Sequence, residues 1–319
     1  MSVDMTAPDT TPRLATARDY VELLKPRIMM LVVFTALAGL VAAMGVTGTS
    51  MNPVLATVAI VAVALGSGAA GAINMWYDAD IDAIMTRTST RPIPSGAVPK
   101  NEALTMGLIM SAVSVLLMWI ASNVLAAALL AMSIVYYGWF YTMVLKRRTA
   151  QNIVIGGAAG AFPPVIGWAA VTSATPLDAW ILFAIIFFWT PPHFWALSLV
   201  AHKEYEKAGV PMLPVTSGAK ATRLQILIYT IILAPIGLAP LATGLGGWVY
   251  AVVGALLTLA FLHFAVKVWR SRAGESDAGD AERKLAMSMF AFSILYLFGL
   301  FAALIIEHGF GLYFPFGGI

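Results

Sequence analysis

The sequence contains no cysteine, and only 11% of its 319 residues are charged. The absence of cysteine excludes disulfide bonds, thiolate catalysis and zinc or iron–sulfur sites built on cysteine. A soluble protein normally has about a quarter of its residues charged, whereas 60% of this chain is hydrophobic. A mean hydropathy of +0.84 predicts a polytopic membrane protein, and the small net charge of +3 predicts no nucleic-acid partner.

Nine segments are apolar over about the 20 residues that a helix needs to cross a bilayer. Their centres lie near residues 37, 63, 112, 135, 162, 189, 233, 257 and 296. The pattern predicts an all-α fold with nine transmembrane helices over residues 28–306. A polar arm (residues 1–27) precedes them, with a short interfacial helix predicted from Ala17 onwards, and a tail (residues 307–319) follows. No apolar core with a cleavage site starts the chain, so we expect no cleaved signal peptide.

All 19 Lys and Arg residues fall in the N-terminal arm or in a loop that follows an even-numbered span. The positive-inside rule places these segments in the cytoplasm, so nine spans predict a cytoplasmic N-terminus and a C-terminus outside. Pro163-Pro164 and Pro191-Pro192 are expected to interrupt the fifth and sixth spans. Membrane helices tolerate such breaks beside a cavity, so we expect a cavity between these two spans.

Three polar residues at the end of the second span have the spacing i, i+4 and i+8, namely Asn74, Asp78 and Asp82. On a helix this spacing aligns them on one stripe, whereas Asp80 faces away. Two carboxylates and an amide oxygen are ligands that Mg²⁺ accepts, and this cation is commonly shared with a substrate phosphate. The alternative is a solvated helix end whose acids pair with nearby arginines.

Basic residues follow this stripe and could bind phosphate oxygens. Arg87 and Arg91 come within ten residues of it, and guanidinium groups suit bidentate contacts with phosphate. Lys146 and Arg147 follow an aromatic run after the fourth span. They are either phosphate ligands or a topology anchor below an aromatic belt.

His193 lies within an apolar segment, directly after Pro191-Pro192. A polar side chain inside a membrane helix is a functional candidate. Its imidazole could bond a backbone carbonyl freed by the prolines, or it could bind an iron. Glu204 and Glu206 come later in this region, but an i, i+2 pair diverges on a helix and is a poorer metal pair than Asp78 and Asp82.

The motifs together resemble the UbiA-type intramembrane prenyltransferases. The segments that carry this resemblance are Lys25-Pro26-Arg27, Asn74 to Asp82 (NMWYDADID), Met85 to Thr88 (MTRT), Arg91-Pro92 and Lys146-Arg147. Three further segments resemble the branch of the family that farnesylates protohaem IX: Gly160 to Trp168 (GAFPPVIGW), Trp189 to Ser198 (WTPPHFWALS) and Ala208 to Val215 (AGVPMLPV). The resemblance extends from about residue 20 to residue 305.

The resemblance implies nine helices around a central cavity beneath a cytoplasmic cap of loops, in a bacterial inner membrane. It also implies transfer of a farnesyl group from farnesyl diphosphate to a vinyl group of haem b, with water adding a hydroxyl to give haem O. By position, Asn74, Asp78 and Asp82 would hold Mg²⁺ and the diphosphate. The diphosphate ligands would be Arg87, Arg91, Lys146 and Lys203. Further candidates are Arg27, Arg147, His193, Glu204, Tyr205 and Glu206.

One departure from the family pattern concerns a second Asp-x-x-x-Asp motif after the sixth span. Here the region is Lys203 to Lys207 (KEYEK), which leaves a second magnesium site open. The expected partners are farnesyl diphosphate, haem b and membrane lipid, with a haem A synthase or terminal oxidase assembly partner as candidate recipients. Three alternatives stay open: prenylation of an aromatic quinone precursor, transport of haem or an anionic lipid, and a non-catalytic oxidase assembly factor.

Overall fold

The computed structural model describes residues 15–316, and the predicted all-α architecture is confirmed there. Nine helices within these residues are long and apolar enough to span a membrane. The helices are α1 (Ala17–Leu23), α2 (Pro26–Thr47), α3 (Pro53–Tyr77), α4 (Ala79–Ile84), α5 (Lys100–Ala121), α6 (Val124–Val135), α7 (Asn152–Ala161), α8 (Pro163–Thr172), α9 (Leu177–Lys207), α10 (Leu213–Thr216), α11 (Gly218–Thr243), α12 (Trp248–Arg270) and α13 (Asp280–Gly309). The first span begins two residues before residue 28 and the last ends after residue 306, and the three-part division of the chain stays a prediction.

Two of the spans are composite. A π-helix, Tyr136–Leu145, continues α6 and completes the fourth span. The fifth span consists of α7 and α8, which are separated at Phe162, directly before Pro163. The predicted interruption at Pro163-Pro164 is therefore confirmed, because proline has no N–H to continue the helical hydrogen bonds.

The predicted interruption at Pro191-Pro192 is wrong, because α9 continues through both prolines. Contacts with α13 hold the helix on both sides of them. The indole Nε1 of Trp189 donates to the carbonyl of Ser293 at 2.6 Å, and Nδ1 of His193 bonds the hydroxyl of Ser293 at 2.6 Å. Neighbouring helices thus support a helix that has lost backbone hydrogen bonds.

The spans enclose a central space between two groups of helices. On one side α3 packs against α5, and on the other α9 packs against α7, α11 and α13. α2 connects the groups by packing against α8, α13 and α3. Glycine permits the close approach of α2 and α8, because a Cβ on Gly167 would lie 2.1 Å from the carbonyl oxygen of Ala36.

Short elements cover the end of the bundle at which α3 ends and α2 begins. α1 and the loop between α4 and α5 bury Leu23, Ile93 and Val98 together against α3. The segment after α9 buries Val210 and Met212 against α4 and α7. These segments form the predicted cap of loops, and they close over the stripe of polar residues at the end of α3.

Candidate active site

One cavity of about 710 Å³ occupies the space between the two groups of helices. Its mouth lies beneath the cap and its body is apolar. The mouth is lined by Lys25, Arg27, Asn74, Asp82, Arg87, Arg91 and Lys146. The body is lined by side chains such as Leu31, Val63, Ile134, Ile166, Ile186 and Leu297. A cavity with this polarity can hold an anionic head group at its mouth and an apolar chain in its body.

The predicted stripe of Asn74, Asp78 and Asp82 is present, although α3 ends at Tyr77. Asp78 joins α3 to α4, and helical hydrogen bonds continue across the junction from Asp78 N to Asn74 O (2.9 Å) and from Asp82 N to Asp78 O (2.8 Å). The three side chains are consequently buried on one face, with Asp78 0% and Asp82 2% exposed. Asp80 faces outward with a side chain that is 60% exposed.

Each residue of this stripe is paired with a cationic side chain from a different segment. Lys25 donates to Oδ1 of Asn74, and Lys146 donates to Oδ2 of Asp78. Nη1 of Arg91 donates to Oδ2 of Asp82 at 2.6 Å. Buried carboxylates require such partners, and the same three cations lie beside any anion that enters the mouth.

Lys25 belongs to the segment Lys25-Pro26-Arg27 that resembles the family, but sequence patterns alone predict no role for it. Its backbone is left-handed (φ +53°), which is uncommon for a residue other than glycine. Such strain often marks a functional position. Burial lowers the pKa of Lys25 to about 7, and repulsion from Arg91 and Lys146 also lowers it.

The orientation of the Asn74 side chain is fixed by two hydrogen bonds from its Nδ2. One reaches Oδ2 of Asp78 at 2.8 Å and the other reaches the hydroxyl of Thr142 at 3.0 Å. Thr142 in turn donates to the carbonyl of Tyr137, five residues earlier in the π-helix, at 2.8 Å. The carbonyl oxygen of Asn74 therefore points toward Lys25 and the cavity mouth.

Arg147 braces the junction between α3 and α4. It forms two hydrogen bonds with Asp80, at 2.8 and 2.6 Å, and its guanidinium stacks over the ring of Tyr77 at 4.7 Å. Hydrogen bonds from Arg147 lower the pKa of Asp80 to about 2. Nη2 of Arg147 also lies 3.7 Å from Oδ1 of Asp78, and that buried oxygen accepts no hydrogen bond within residues 15–316.

The donors in this cluster fit Mg²⁺. Asn74, Asp78 and Asp82 offer hard oxygen ligands, and Oδ1 of Asp78 is buried without a hydrogen bond in the described chain. The described residues contain no group of three or more His, Cys, Asp or Glu side chains that could hold a metal. Two carboxylates and an amide leave coordination positions for water and phosphate, which is the usual way that proteins bind Mg²⁺.

The remaining predicted residues separate into two groups. Arg27, Arg87 and Tyr205 line the mouth, where Nη2 of Arg87 lies 3.5 Å from the hydroxyl of Tyr205. The other group comprises Lys203, Glu204 and Glu206, which are not among the residues that line the cavity in the described chain. Lys203 and Glu206 are exposed and Glu204 is half-buried.

His193 also lines the cavity, on the wall formed by α9 and α13. Its ring is stacked between Trp189 and Phe290, with centroid distances of 4.3 and 4.4 Å. Asn152, for which sequence patterns predict no role, lines the cavity as well. Its Nδ2 donates to the carbonyl of Thr149 at 2.7 Å, while its buried Oδ1 has no hydrogen bond in the described part of the chain.

The chain is similar to curated proteins over nearly its whole length. It is 73% identical over 312 residues to the protoheme IX farnesyltransferase of Hyphomonas neptunium, covering 98% of each chain. It is 56% identical over 326 residues to the protoheme IX farnesyltransferase of a Caulobacter species, covering 95% of this chain and 93% of the relative.

Solved structures share the fold at lower identity. A structure described for digeranylgeranylglyceryl phosphate synthase matches with a TM-score of 0.70 and 16% identity, over 90% of this chain and 98% of its own. A UbiA homologue from Archaeoglobus fulgidus, bound to DMAPP and Mg²⁺, matches with a TM-score of 0.66 and 16% identity, over 90% and 99%. A sequence model of the UbiA prenyltransferase family matches residues 32–294. With a matching fold and a full-length relative at 73% identity, the chain belongs to the UbiA prenyltransferase family.

Proposed function

We propose that this chain transfers the farnesyl group of farnesyl diphosphate to a vinyl group of haem b, with addition of water, and so makes haem O. The observation that carries the reaction class is a cavity that joins a cation-lined mouth to an apolar body. The acceptor is inferred from the names of two relatives that match nearly the whole chain. The cavity volume of about 710 Å³ lies within the range of roughly 300–1,000 Å³ that small-molecule binding sites have.

The basic side chains at the mouth stabilise the leaving group. The bond between C1 of the farnesyl chain and the diphosphate oxygen breaks, and its electron pair leaves with the diphosphate. Arg91 and Lys146 supply fixed positive charge where this negative charge grows, and Lys25 adds to it when it is protonated. When bound, Mg²⁺ would neutralise further charge on the diphosphate, and Asn74, Asp78 and Asp82 would hold it.

The body of the cavity protects the allylic cation that remains on the farnesyl chain. Its aliphatic lining limits the access of water to the cation. Tyr137 and Tyr141 line the cavity with stacked rings 5.3 Å apart, and their π-faces attract a cation. The π electrons of the haem vinyl group form the new carbon–carbon bond. Water then adds to the resulting cation and loses a proton to give the hydroxyl.

The positions of the basic residues support an orientation in the membrane. The capped mouth lies at the end of the bundle that carries Arg87, Arg91 and Lys146. By the positive-inside rule this end faces the cytoplasm, with the N-terminus there and the C-terminus outside. Haem O would leave from the same cavity for a haem A synthase or a terminal oxidase assembly partner.

The test is a complete reaction with purified protein, farnesyl diphosphate, haem b and Mg²⁺, followed by mass spectrometry of the porphyrin. We expect a product heavier than haem b by a farnesyl group and a hydroxyl. Parallel reactions with an aromatic quinone precursor test the alternative acceptor. Product from that precursor and none from haem b would overturn the proposed acceptor. Haem flux into liposomes without any product would instead support the transporter.

A further inference from the structure

The imidazole of His193 contacts three aromatic rings and one hydroxyl. Phe194 meets the ring edge-on, with the two centroids 5.1 Å apart. Trp189 and Phe290 cover the two ring faces, at interplanar angles of 19° and 22°. The edge that carries Nδ1 faces the hydroxyl of Ser293 at 2.6 Å. Since His193 lines the cavity while its two faces and its Nδ1 are occupied, a ligand in the cavity would reach the ring through the edge that carries Nε2.

The hydrogen bonds of Ser293 determine which nitrogen of the ring carries the proton. The hydroxyl of Ser293 donates its one hydrogen to the carbonyl of Phe290 at 2.6 Å. It must therefore accept from His193, which places the imidazole proton on Nδ1. Nε2 then has a free lone pair, and no residue of the described chain donates a hydrogen bond to it. A neutral imidazole whose second nitrogen is fixed by a hydrogen bond is the usual form of a metal-binding histidine.

The parallel packing of α2 and α13 shows how far His193 lies from the cavity mouth along the bundle. Phe34 stacks on Phe298 at 4.5 Å, and Gly45 lies against His308. The same register places Arg27, in the first turn of α2, at the level of Phe290. Since Phe290 stacks on His193, the imidazole lies at the level of the cavity mouth.

The stripe at the end of α3 lies at that same level. Asn74 bonds Lys25, the residue that immediately precedes α2. Nε2 of His193 and the oxygen ligands of the stripe therefore lie on opposite walls of one mouth. A haem acceptor whose iron is bound on the wall of α9 and α13 would face the opposite wall. There, C1 of the farnesyl chain would be released from a diphosphate bound at α3.

We infer that His193 binds the iron of the haem acceptor through Nε2, and that Ser293 is a positioning residue that fixes the required tautomer. The inference rests on the proposed function, since it takes an iron porphyrin as the acceptor. Histidine is a common axial ligand of haem iron. Ligation by one residue would hold the porphyrin by its centre and leave its vinyl edge free to approach the farnesyl carbon.

The experiment compares porphyrins with and without iron. Purified protein without farnesyl diphosphate is titrated with haem b and with protoporphyrin IX, its metal-free counterpart. In His193→Ala we expect the affinity for haem b to fall at least about tenfold, the scale on which metal sites respond to lost ligands or their supports. The affinity for protoporphyrin IX should not change. His263→Ala is the matched control, because His263 is exposed and outside the cavity lining.

Spectroscopy gives a second measurement that a merely structural role would not affect. The visible and electron paramagnetic resonance spectra of the haem complex should show a histidine ligand in the wild type and lose it in His193→Ala. Added imidazole should restore the spectrum of that variant. His193→Gln, which keeps a polar side chain without a ring nitrogen, replaces His193→Ala in both measurements if the alanine variant is not recovered folded.

Ser293 is tested by a pair of substitutions. Ser293→Ala removes the acceptor for Nδ1 and should weaken haem b binding about tenfold. Ser293→Thr keeps the hydroxyl and should bind haem b like the wild type. Equal weakening of haem b and protoporphyrin IX in these variants would overturn the positioning role, because it would indicate a general disturbance of the cavity.

The outcomes separate this inference from the proposed function. If the wild type and His193→Ala bind haem b with the same affinity and spectrum while the wild type makes haem O, the ligand assignment is overturned alone. If haem b binds through His193 but the complete reaction gives no farnesylated porphyrin, the proposed function is overturned alone. A wild type that neither binds haem b nor makes product contradicts both.

Discussion

The hydroxyl of Thr142 accepts a hydrogen bond from the side-chain amide of Asn74 at 3.0 Å. The contact is possible because the fourth span ends in a π-helix, in which Thr142 donates to the carbonyl of Tyr137. That bond uses the only proton of the hydroxyl, so Thr142 can act only as an acceptor toward Asn74. The π-helix thus fixes which end of the Asn74 amide faces the cavity mouth. Such helices often occur at functional sites.

Thr142→Val is expected to lower farnesyl transfer by about 10- to 100-fold, the usual effect of removing a residue that orients a metal ligand. Valine has the shape of threonine but cannot accept from Nδ2 of Asn74. The loss should appear mainly as a higher Mg²⁺ concentration at half-maximal rate. Thr142→Ser keeps the hydroxyl and is the matched control. Equal rates and equal Mg²⁺ dependence in wild type and Thr142→Val would contradict this role.

Asp78 and Asp82 can be tested against Asp80, a nearby carboxylate that faces outward, by comparing the turnover of their alanine variants. Asp78→Ala and Asp82→Ala should abolish turnover while the protein still inserts and folds. Each substitution removes a buried carboxylate that we propose as a Mg²⁺ ligand. Asp80→Ala changes an exposed carboxylate that contacts Arg147, so its effect should be much smaller. Product formation is measured by mass spectrometry and folding by size-exclusion chromatography. Near-normal product from both stripe variants would refute the metal role.

Removal of the metal should have the same effect as removal of the carboxylates. We expect a chelator to stop turnover of the wild type and added Mg²⁺ to restore it. Mg²⁺ with a non-hydrolysable analogue of farnesyl diphosphate should raise the thermal unfolding temperature, because a ligand that binds only the folded state stabilises it. Asp78→Ala should show no such rise. A rise of equal size in that variant would place the metal elsewhere.

Much of the architecture could be predicted from the sequence because its signals are local. Hydropathy identified the nine spans that the structure has within residues 15–316, and Pro163-Pro164 marked the break in the fifth. The i, i+4 spacing of Asn74, Asp78 and Asp82 predicted the buried stripe, since hydrogen bonds continue the helical geometry past the end of α3. In each case neighbouring residues in the chain carried the information.

The remaining features depend on contacts between distant segments. Thr142 reaches Asn74 only because the fourth span changes from an α-helix to a π-helix, and no single residue type marks that change. α13 contains two serines, and only the contact with His193 distinguishes Ser293 from the other. The same packing kept α9 continuous through its two prolines, where local rules predicted a break.

The loop between α12 and α13 is expected to be sensitive to acid. Buried Arg223 donates to the carbonyl of Ala273 at 2.8 Å and to the carboxylate of Glu275 at 2.5 Å. Hydrogen bonds from Arg223 and Arg272 lower the pKa of Glu275 below its ordinary value of 4.5. Since the folded-state pKa is the lower one, this stabilisation is complete above pH 4.5 and is lost as the pH falls through the lowered pKa.

The measurement is the thermal unfolding temperature of purified protein between neutral pH and pH 3. In the wild type we expect a loss of stability below pH 4.5, in addition to the changes caused by other carboxylates. Glu275→Gln should be less stable at neutral pH and lose less on acidification. If the two proteins show parallel curves over this range, the ion pair does not stabilise the fold.

Glu307 is a fully buried carboxylate near the end of α13, far from the mouth of the cavity. It accepts hydrogen bonds from the backbone N–H groups of Gly247 at 2.8 Å and Tyr250 at 2.9 Å, at the start of α12. Glu307→Ala leaves both donors buried without a partner, at a cost of about 1–3 kcal/mol for each. Glu307→Gln keeps one acceptor and should be intermediate in stability.

The distance of Glu307 from the mouth separates stability from catalysis. Glu307 comes 17 residues after Phe290 in α13, which corresponds to about 25 Å along the helix. Glu307→Ala should therefore lower the unfolding temperature while farnesyl transfer by the folded fraction, measured well below that temperature, stays near the wild-type rate. Glu206→Ala, which changes an exposed carboxylate, is the control for loss of a negative charge. An unchanged unfolding temperature in Glu307→Ala would show that water replaces the carboxylate at the start of α12.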